Sequence, residues 1–294
     1  MKKPITNFRL SDGIIIFALS ALALVIVYPL YYTFMVSICE YQDVFHSGLI
    51  IKPHKLVFSS YQLIFELTDI LNGFVVSVLV TIIGTFVNLF VSVCGAYALS
   101  KKRMFGRKVF ITILVFFMLF DGGIIPFYLA VTKLGLMNNF FAMIFPCAVN
   151  FFYLFILINY FKGVPVSLEE SAFLDGANDI TILFRIILPI SASTLAAIGL
   201  FYAVDRWNEW WHAMLFISDN KLLPLQLILR KLLLSMDTIM GDGNGSAALE
   251  KFGAIFSPGL KMASVVITTI PIMLVYPKLS KHFSKGVMVG AIKG

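Results

Sequence analysis

Apolar positions along this chain gather into long runs separated by polar segments of unequal length. Crossing a bilayer takes about 20 consecutive apolar residues. Six runs meet that length, at roughly 14–38, 72–99, 109–131, 140–161, 190–217 and 260–280, the last two with the least sharp edges. Pro29, Pro126, Pro146, Pro271 and Pro277 interrupt them, as does the pair Gly122-Gly123 after Asp121. Irregular backbone at membrane depth persists only against protein or a water-filled cavity, although simple kinks are the ordinary outcome of such residues in membrane helices. Between the runs, 39–71 and 218–259 are long and 162–189 is intermediate. Inside 218–259, "LLPLQLILRKLLLSM" is apolar but broken by Pro224, Arg230 and Lys231, which predicts a partly buried or re-entrant segment rather than a seventh span.

Composition agrees with the runs. Hydrophobic residues make up 59% of the 294 and charged residues 13%, against about a quarter charged in soluble domains. The expectation is an all-α polytopic membrane protein, one domain over 1–294 with six transmembrane helices. The first run follows Lys2, Lys3 and Arg9 but continues through Tyr28-Pro29 without a small-residue cleavage site, so it reads as a span and not as a cleaved leader. Cys39, Cys94 and Cys147 are odd in number, far apart and form no CxxC, which suggests neither a disulfide framework nor a metal site.

The net charge of +7 is informative through its placement. Segments 1–13, 100–108, 162–189 and 278–294 hold 14 of the 23 Lys and Arg. Positive charge accumulates on the cytoplasmic side of membrane proteins, so these segments and both termini are expected inside, with 39–71 and 218–259 outside. The block "KKRMFGRK", Lys101 to Lys108, reads as a topology anchor and not as a nucleic-acid surface. No GxxxxGK[ST] loop is present, so the chain is not expected to hydrolyse ATP itself. HExxH, GxSxG and paired Cys/His spacings are also missing, and His46, His54, His212 and His282 are scattered. An intramembrane enzyme is therefore disfavoured.

The acid-bearing stretch "SLEESAFLDGANDITILFRIILP", Ser167 to Pro189, stands out between two apolar runs. Ser167 and Glu170 have the spacing of a capping box, which predicts a helix from Leu168. Gly176 falls where a left-handed residue would end that helix. Asn178 or Asp179 can cap a second helix toward Ile187, and Pro189 is expected to open the next span.

Glu170-Ser171-Ala172, Gly176, Ala177 and Ile186-x-Leu188-Pro189 resemble the EAA signature of importer-type ABC permeases, E-A-A-x3-G-x9-I-x-L-P, with Ser171 in place of the middle alanine. "RWNEWWHAML" and the ending "GVMVGAIKG" are similar to segments of the carbohydrate branch. "DGGIIPFYL", "GVPVSLEESAFLDGAND" and "LPLQLILR" resemble permeases that import fragments of polysaccharides, including relatives of alginate importers. The resemblance implies a type I importer permease fold in a bacterial plasma membrane. It also implies a cytoplasmic coupling helix, carried by Glu170, Ser171, Ala172, Asp175, Gly176, Ala177, Ile186, Leu188 and Pro189, that docks on an ATPase. The implied partners are a second, different permease, two ATPase subunits that bind ATP and Mg, an extracytoplasmic solute-binding protein and an oligosaccharide. No cofactor is expected on this chain.

Polar groups within spans usually face a bundle interior or a cavity. Asn88, Asn150, Asn159, Asp205, Arg206, Asn208 and Glu209 are of this kind. Trp207, Trp210 and Trp211 can stack on sugar rings, but they equally suit an interfacial aromatic belt or packing against a partner. Asn88, Asn150, Asp205, Trp207, Asn208, Glu209 and Trp210 are the candidate pathway residues. Competing readings are an importer of another solute, such as a sugar phosphate or peptide, and a membrane sensor or scaffold that moves nothing.

Overall fold

The computed structural model describes residues 10–40, 55–120, 122–241 and 258–274. Among the described residues regular structure is helical, apart from one isolated antiparallel bridge between Cys39 and Leu56. The chain divides into two compact units, Met1–Thr68 with Lys231–Ile270, and Asp69–Arg230 with Pro271–Gly294.

In the first unit, α1 (Leu10–Ile38) buries none of its most apolar window. A helix apolar on every side and uncovered by its own chain is suited to lipid. Thr33 Oγ1 donates to the carbonyl of Pro29, 2.8 Å away, within the turn that follows the proline. Beyond α1 the chain returns to α2 (Ser59–Leu67). The Val57 N–H donates to Ile38 O at 2.9 Å, and Ser37 Oγ lies 2.8 Å from the Tyr61 hydroxyl. Met262, on the helix Pro258–Leu274, packs against Val36 and Cys39.

The second unit is built around α3 (Ile70–Ser100). At 1.5 Å per residue its 31 residues extend about 46 Å, more than the roughly 30 Å of hydrocarbon in a bilayer. It packs chiefly against α6 (Phe151–Lys162) and α9 (Ala192–Trp207). Gly73, Gly84 and Gly95 recur every three turns, placing backbone against Ile228, Arg206 and Leu154 in turn. Between helices in lipid, attraction comes from such close packing and from polar contacts more than from exclusion of water. One core cluster joins Val93, Ala96 and Tyr97 of α3 to Leu157 and Ile158 of α6 and Tyr202 of α9. A second joins Val76 and Val80 to Met143, Phe216 and Leu227.

The apolar runs are more broken than their length predicts. Only α1 and α3 are long and apolar enough to cross a membrane alone among the described residues, and two bent pairs qualify when each is taken together. The 109–131 run is covered by two separate helices, α4 (Arg107–Leu119) and α5 (Ile124–Lys133), and Gly123, at the N-cap of α5, takes a φ of 84°. The 140–161 run is one bent pair: two 3-10 turns, Phe140–Met143 and Phe145–Cys147, meet α6 at 51°. Pro146 and the capping Asn150 cause that break.

The fifth run corrects two expectations. Pro189 does not open a span: it lies within the helical stretch α8 (Asp179–Ile190), which bends by 86° into α9 at Ser191. A proline ring inside a helix collides with the carbonyl four residues earlier. Here that residue is Arg185, within the widened π turn Leu183–Ile187 that relieves the clash. Nor does one helix reach residue 217, because α9 ends at Trp207 and a separate α10 (Trp211–Phe216) follows. The 218–259 segment supplies α11 (Leu225–Gly241), whose Leu225, Leu227, Ile228 and Leu229 are buried, as a partly buried segment requires.

Candidate functional site

The polar stretch between α6 and α8 forms a helix, a tight turn and a second helix. The first, α7, runs Val166–Leu174. It starts two residues before the predicted Leu168, with Pro165 at the N-cap and no side-chain cap. The capping box of Ser167 and Glu170 is therefore not formed. Proline's fixed φ, here −57°, already sets the chain for helix entry and leaves Ser167 inside the first turn.

The other end follows the sequence pattern. Ala177 N–H donates to Ala172 O at 2.9 Å and Gly176 N–H to Phe173 O at 3.0 Å. This is the paired arrangement that closes a helix around a left-handed residue, and Gly176 has a φ of 83°. Among the described residues a Cβ there would meet nothing within 4 Å, so backbone conformation calls for glycine. Asn178 caps α8 through its side-chain oxygen, which accepts from Thr181 N–H at 2.8 Å.

Ala172 is buried with Ile182 and Ile187, which fastens the turn to the core beneath. Glu170, Ser171, Asp175 and Gly176 are exposed, Ala177, Ile186 and Leu188 are half-buried, and Pro189 is exposed. Val166 and Ile180 are also exposed, and Leu174 is 89% exposed, so the outer surface of this motif mixes acids with uncovered apolar groups.

The basic block contributes contacts that its reading as an anchor did not foresee. Lys101 pairs with Glu169 of α7, and Arg103 pairs with Asp179, the first residue of α8. The Arg103 guanidinium also lies over the Phe173 ring, 4.5 Å from its centroid. Opposite charges in two segments assigned to the same side of the membrane were the available signal. Glu170 makes no ion pair among the described residues.

A second polar group is buried where the two bent stretches meet. Arg206, in the last turn of α9, donates from Nη1 to Met143 O and to Cys147 Sγ, each at 2.7 Å. The same nitrogen is 3.4 Å from Glu209 Oε2. Glu209 folds back to accept from the His212 backbone N–H at 2.9 Å, capping α10, while its Oε2 is 2.9 Å from His212 Nδ1. Asn88 is fully buried on α3 and donates to Cys147 O at 3.3 Å. Among the described residues, Thr85 Oγ1, Asn88 Oδ1 and Arg206 Nε have no hydrogen-bond partner.

Cys147, Glu209 and His212 bring a sulfur, a carboxylate oxygen and a ring nitrogen within 4.8 Å of one another, although nothing in their sequence spacing announced it. These are donor types that a metal ion uses. The Arg206 guanidinium already touches two of the three, so a divalent cation would sit against a fixed positive charge.

No family model matches the chain. It is 40% identical over 290 residues, 97% of this chain and 99% of the other, to the polygalacturonan/rhamnogalacturonan transport system permease protein YtcP of Bacillus subtilis (strain 168). It is 37% identical to Protein LplC of the same organism, over 97% of this chain and 96% of that one. A chain in the crystal structure of a bacterial ABC transporter involved in the import of the acidic polysaccharide alginate superposes with a TM-score of 0.80. That chain is 33% identical and is covered in full, against 96% of this one. The chain belongs to the carbohydrate ABC transporter permeases.

Within this permease the remaining candidate residues are dispersed. Asn150 is spent on capping α6, its side chain accepting from Phe152 and Tyr153 N–H. Trp207 is buried edge-on against Phe74, and Trp210 lies under the Arg230 guanidinium at 3.9 Å. Asp205 and Asn208 are exposed, and Asn208 is bonded to Val204 O and Gln226. Of the pathway candidates, only Asn88 and Glu209 belong to the buried polar group, which also contains Arg206, Cys147 and His212.

Proposed function

We propose that this permease is one membrane half of an ATP-driven importer of oligosaccharides released from polysaccharides. It works by alternating access in a bacterial plasma membrane. In this reading the chain has six spans, with 162–189 and both termini in the cytoplasm and 39–71 and 218–259 outside. ATP and Mg bind to two partner ATPase subunits, a second, different permease completes the pathway, and an extracytoplasmic binding protein delivers the sugar.

The observation that carries this reading is the exposed helix–turn–helix at 166–190. An acidic, partly apolar surface on a rigid motif anchored by Ala172 and Ile182 suits a protein groove. Glu170 and Asp175 supply charge, Gly176 and Ala177 shape the turn, and Ile186, Leu188 and Pro189 join the motif to α9. A displacement imposed on it reaches the bundle, because its core residues are those of α3 and α6. ATP binding shifts the permease between access states only if the ATPase meets the motif differently in each. The likeness to the polygalacturonan/rhamnogalacturonan permease YtcP favours pectic fragments, and the likeness to the alginate importer favours an acidic glycan.

The test is ATP-dependent uptake by the chain purified with its native partners into liposomes, with the binding protein present. The substrate is an equimolar mixture of pectic, arabinan, alginate and maltose-type oligosaccharides read by mass spectrometry. Selective uptake of one class supports the reading and names the sugar. Co-purification of no ATPase would overturn it.

A further inference from the structure

We propose that the basic loop after α3 is a second mechanical link of the coupling motif, with Lys101 and Arg103 as positioning residues that tie the motif directly to α3. This rests on the assignment of 166–190 as the coupling motif.

Five contacts place the link. Lys101 is the C-cap residue of α3, its own N–H donating to Ala98 O at 3.2 Å. Its ammonium pairs with Glu169 in the first turn of α7 and lies 4.0 Å from the centroid of the Tyr97 ring, so it is held from both sides. Both partners of the pair are nearly covered, with side chains 14% and 12% exposed, which limits screening by salt. Arg103 reaches across the glycine turn, stacking on Phe173 before the turn and pairing with Asp179 after it. Its pair is about half exposed and contributes little by charge alone; the ring contact and the span across the turn give it its place.

The loop is braced on α3. Arg107 Nε donates to Leu99 O at 2.7 Å, and Met104 N–H donates back to Lys101 O at 3.3 Å. Glu169 at the start of α7 and Asp179 at the start of α8 are thus both fixed to one short loop at the end of the central helix. Motion of the motif then acts on α3 without passing first through α6 or the bend at Ser191.

The experiment is a charge exchange in the reconstituted complex. The variants are Lys101→Glu, Glu169→Lys and the double exchange, with Lys101→Gln as a milder change in case a reversal prevents insertion. The measured quantity is oligosaccharide taken up per ATP hydrolysed, using the mixed panel above, alongside the ATPase retained on purification. Each reversal is expected to lower the uptake-to-hydrolysis ratio about tenfold while ATPase remains bound. The exchange is expected to recover most of the ratio, which a merely structural role for two separate residues would not give. Single reversals with a normal ratio, or an exchange no better than the worse single, overturn the link and leave the importer reading standing. A wild-type complex that takes up nothing overturns the importer reading, and the link with it.

Discussion

Replacing Arg206 with Met tests whether the buried polar group holds the two bends together. Methionine keeps an unbranched stem over Gly84, where a Cβ would lie 2.7 Å from Arg206 Cδ, but removes the charge and every donor. The change deletes the bonds to Met143 O and Cys147 Sγ and leaves Glu209, whose side chain is 4% exposed, without its cation. Removing one partner of a buried ion pair costs about 3–5 kcal/mol. His212 remains 2.9 Å from the carboxylate, which places the expected loss at the lower end, about 3 kcal/mol. At about 2–4 °C per kcal/mol, the midpoint of thermal unfolding falls by about 6–12 °C. The assay is size-exclusion of the detergent-purified chain after heating, with wild type and variant heated at the same rate because such unfolding is commonly irreversible. Arg206→Met/Glu209→Gln removes the stranded charge and keeps an oxygen to cap α10, so it is expected to recover at least half of the loss. A single variant that melts with wild type, or a double that melts below the single, would refute the reasoning.

Gly176→Asp places a side chain at a φ of 83°, where an L-residue other than Asn or Asp pays about 1–2 kcal/mol and Asp somewhat less. With nothing among the described residues within 4 Å of its Cβ, the variant is expected to insert normally yet lose uptake and bound ATPase, as measured by co-purification; full uptake would count against docking at this turn. Tyr202→Phe removes the hydroxyl that bonds Ser92 Oγ at 2.7 Å and the Asn150 N–H at 3.1 Å. The buried Ser92 hydroxyl and the half-buried Asn150 N–H lose a partner, so a stability loss of about 1–3 kcal/mol is expected by the same melting assay. Adding Ser92→Ala is expected to cost little more, and a fully additive double would contradict the shared bond.

What could be read from the sequence was local. Gly176 and Asn178 declare a turn and a cap because their chemistry acts on neighbouring backbone. The apolar runs overstated the continuity of the described helices, because hydropathy does not register Asn150, Ser191 or Glu209 as places where the backbone bends. The pairs that organise the second unit were out of reach for a different reason. Lys101 meets Glu169 across 68 positions and Arg206 meets Met143 across 63, so only the packing of α3, α6 and α9 selects them. That packing also relates the two polar groups to each other. Asn88 contacts the buried group and Lys101 contacts the helix–turn–helix at 166–190 from the two ends of one uninterrupted helical stretch, about 18–20 Å apart by helical rise. A helix without a break between those points transmits a shift along its length and does not absorb it. The bends, and with them any rearrangement between access states, are thereby left to the stretches around Cys147 and Ser191.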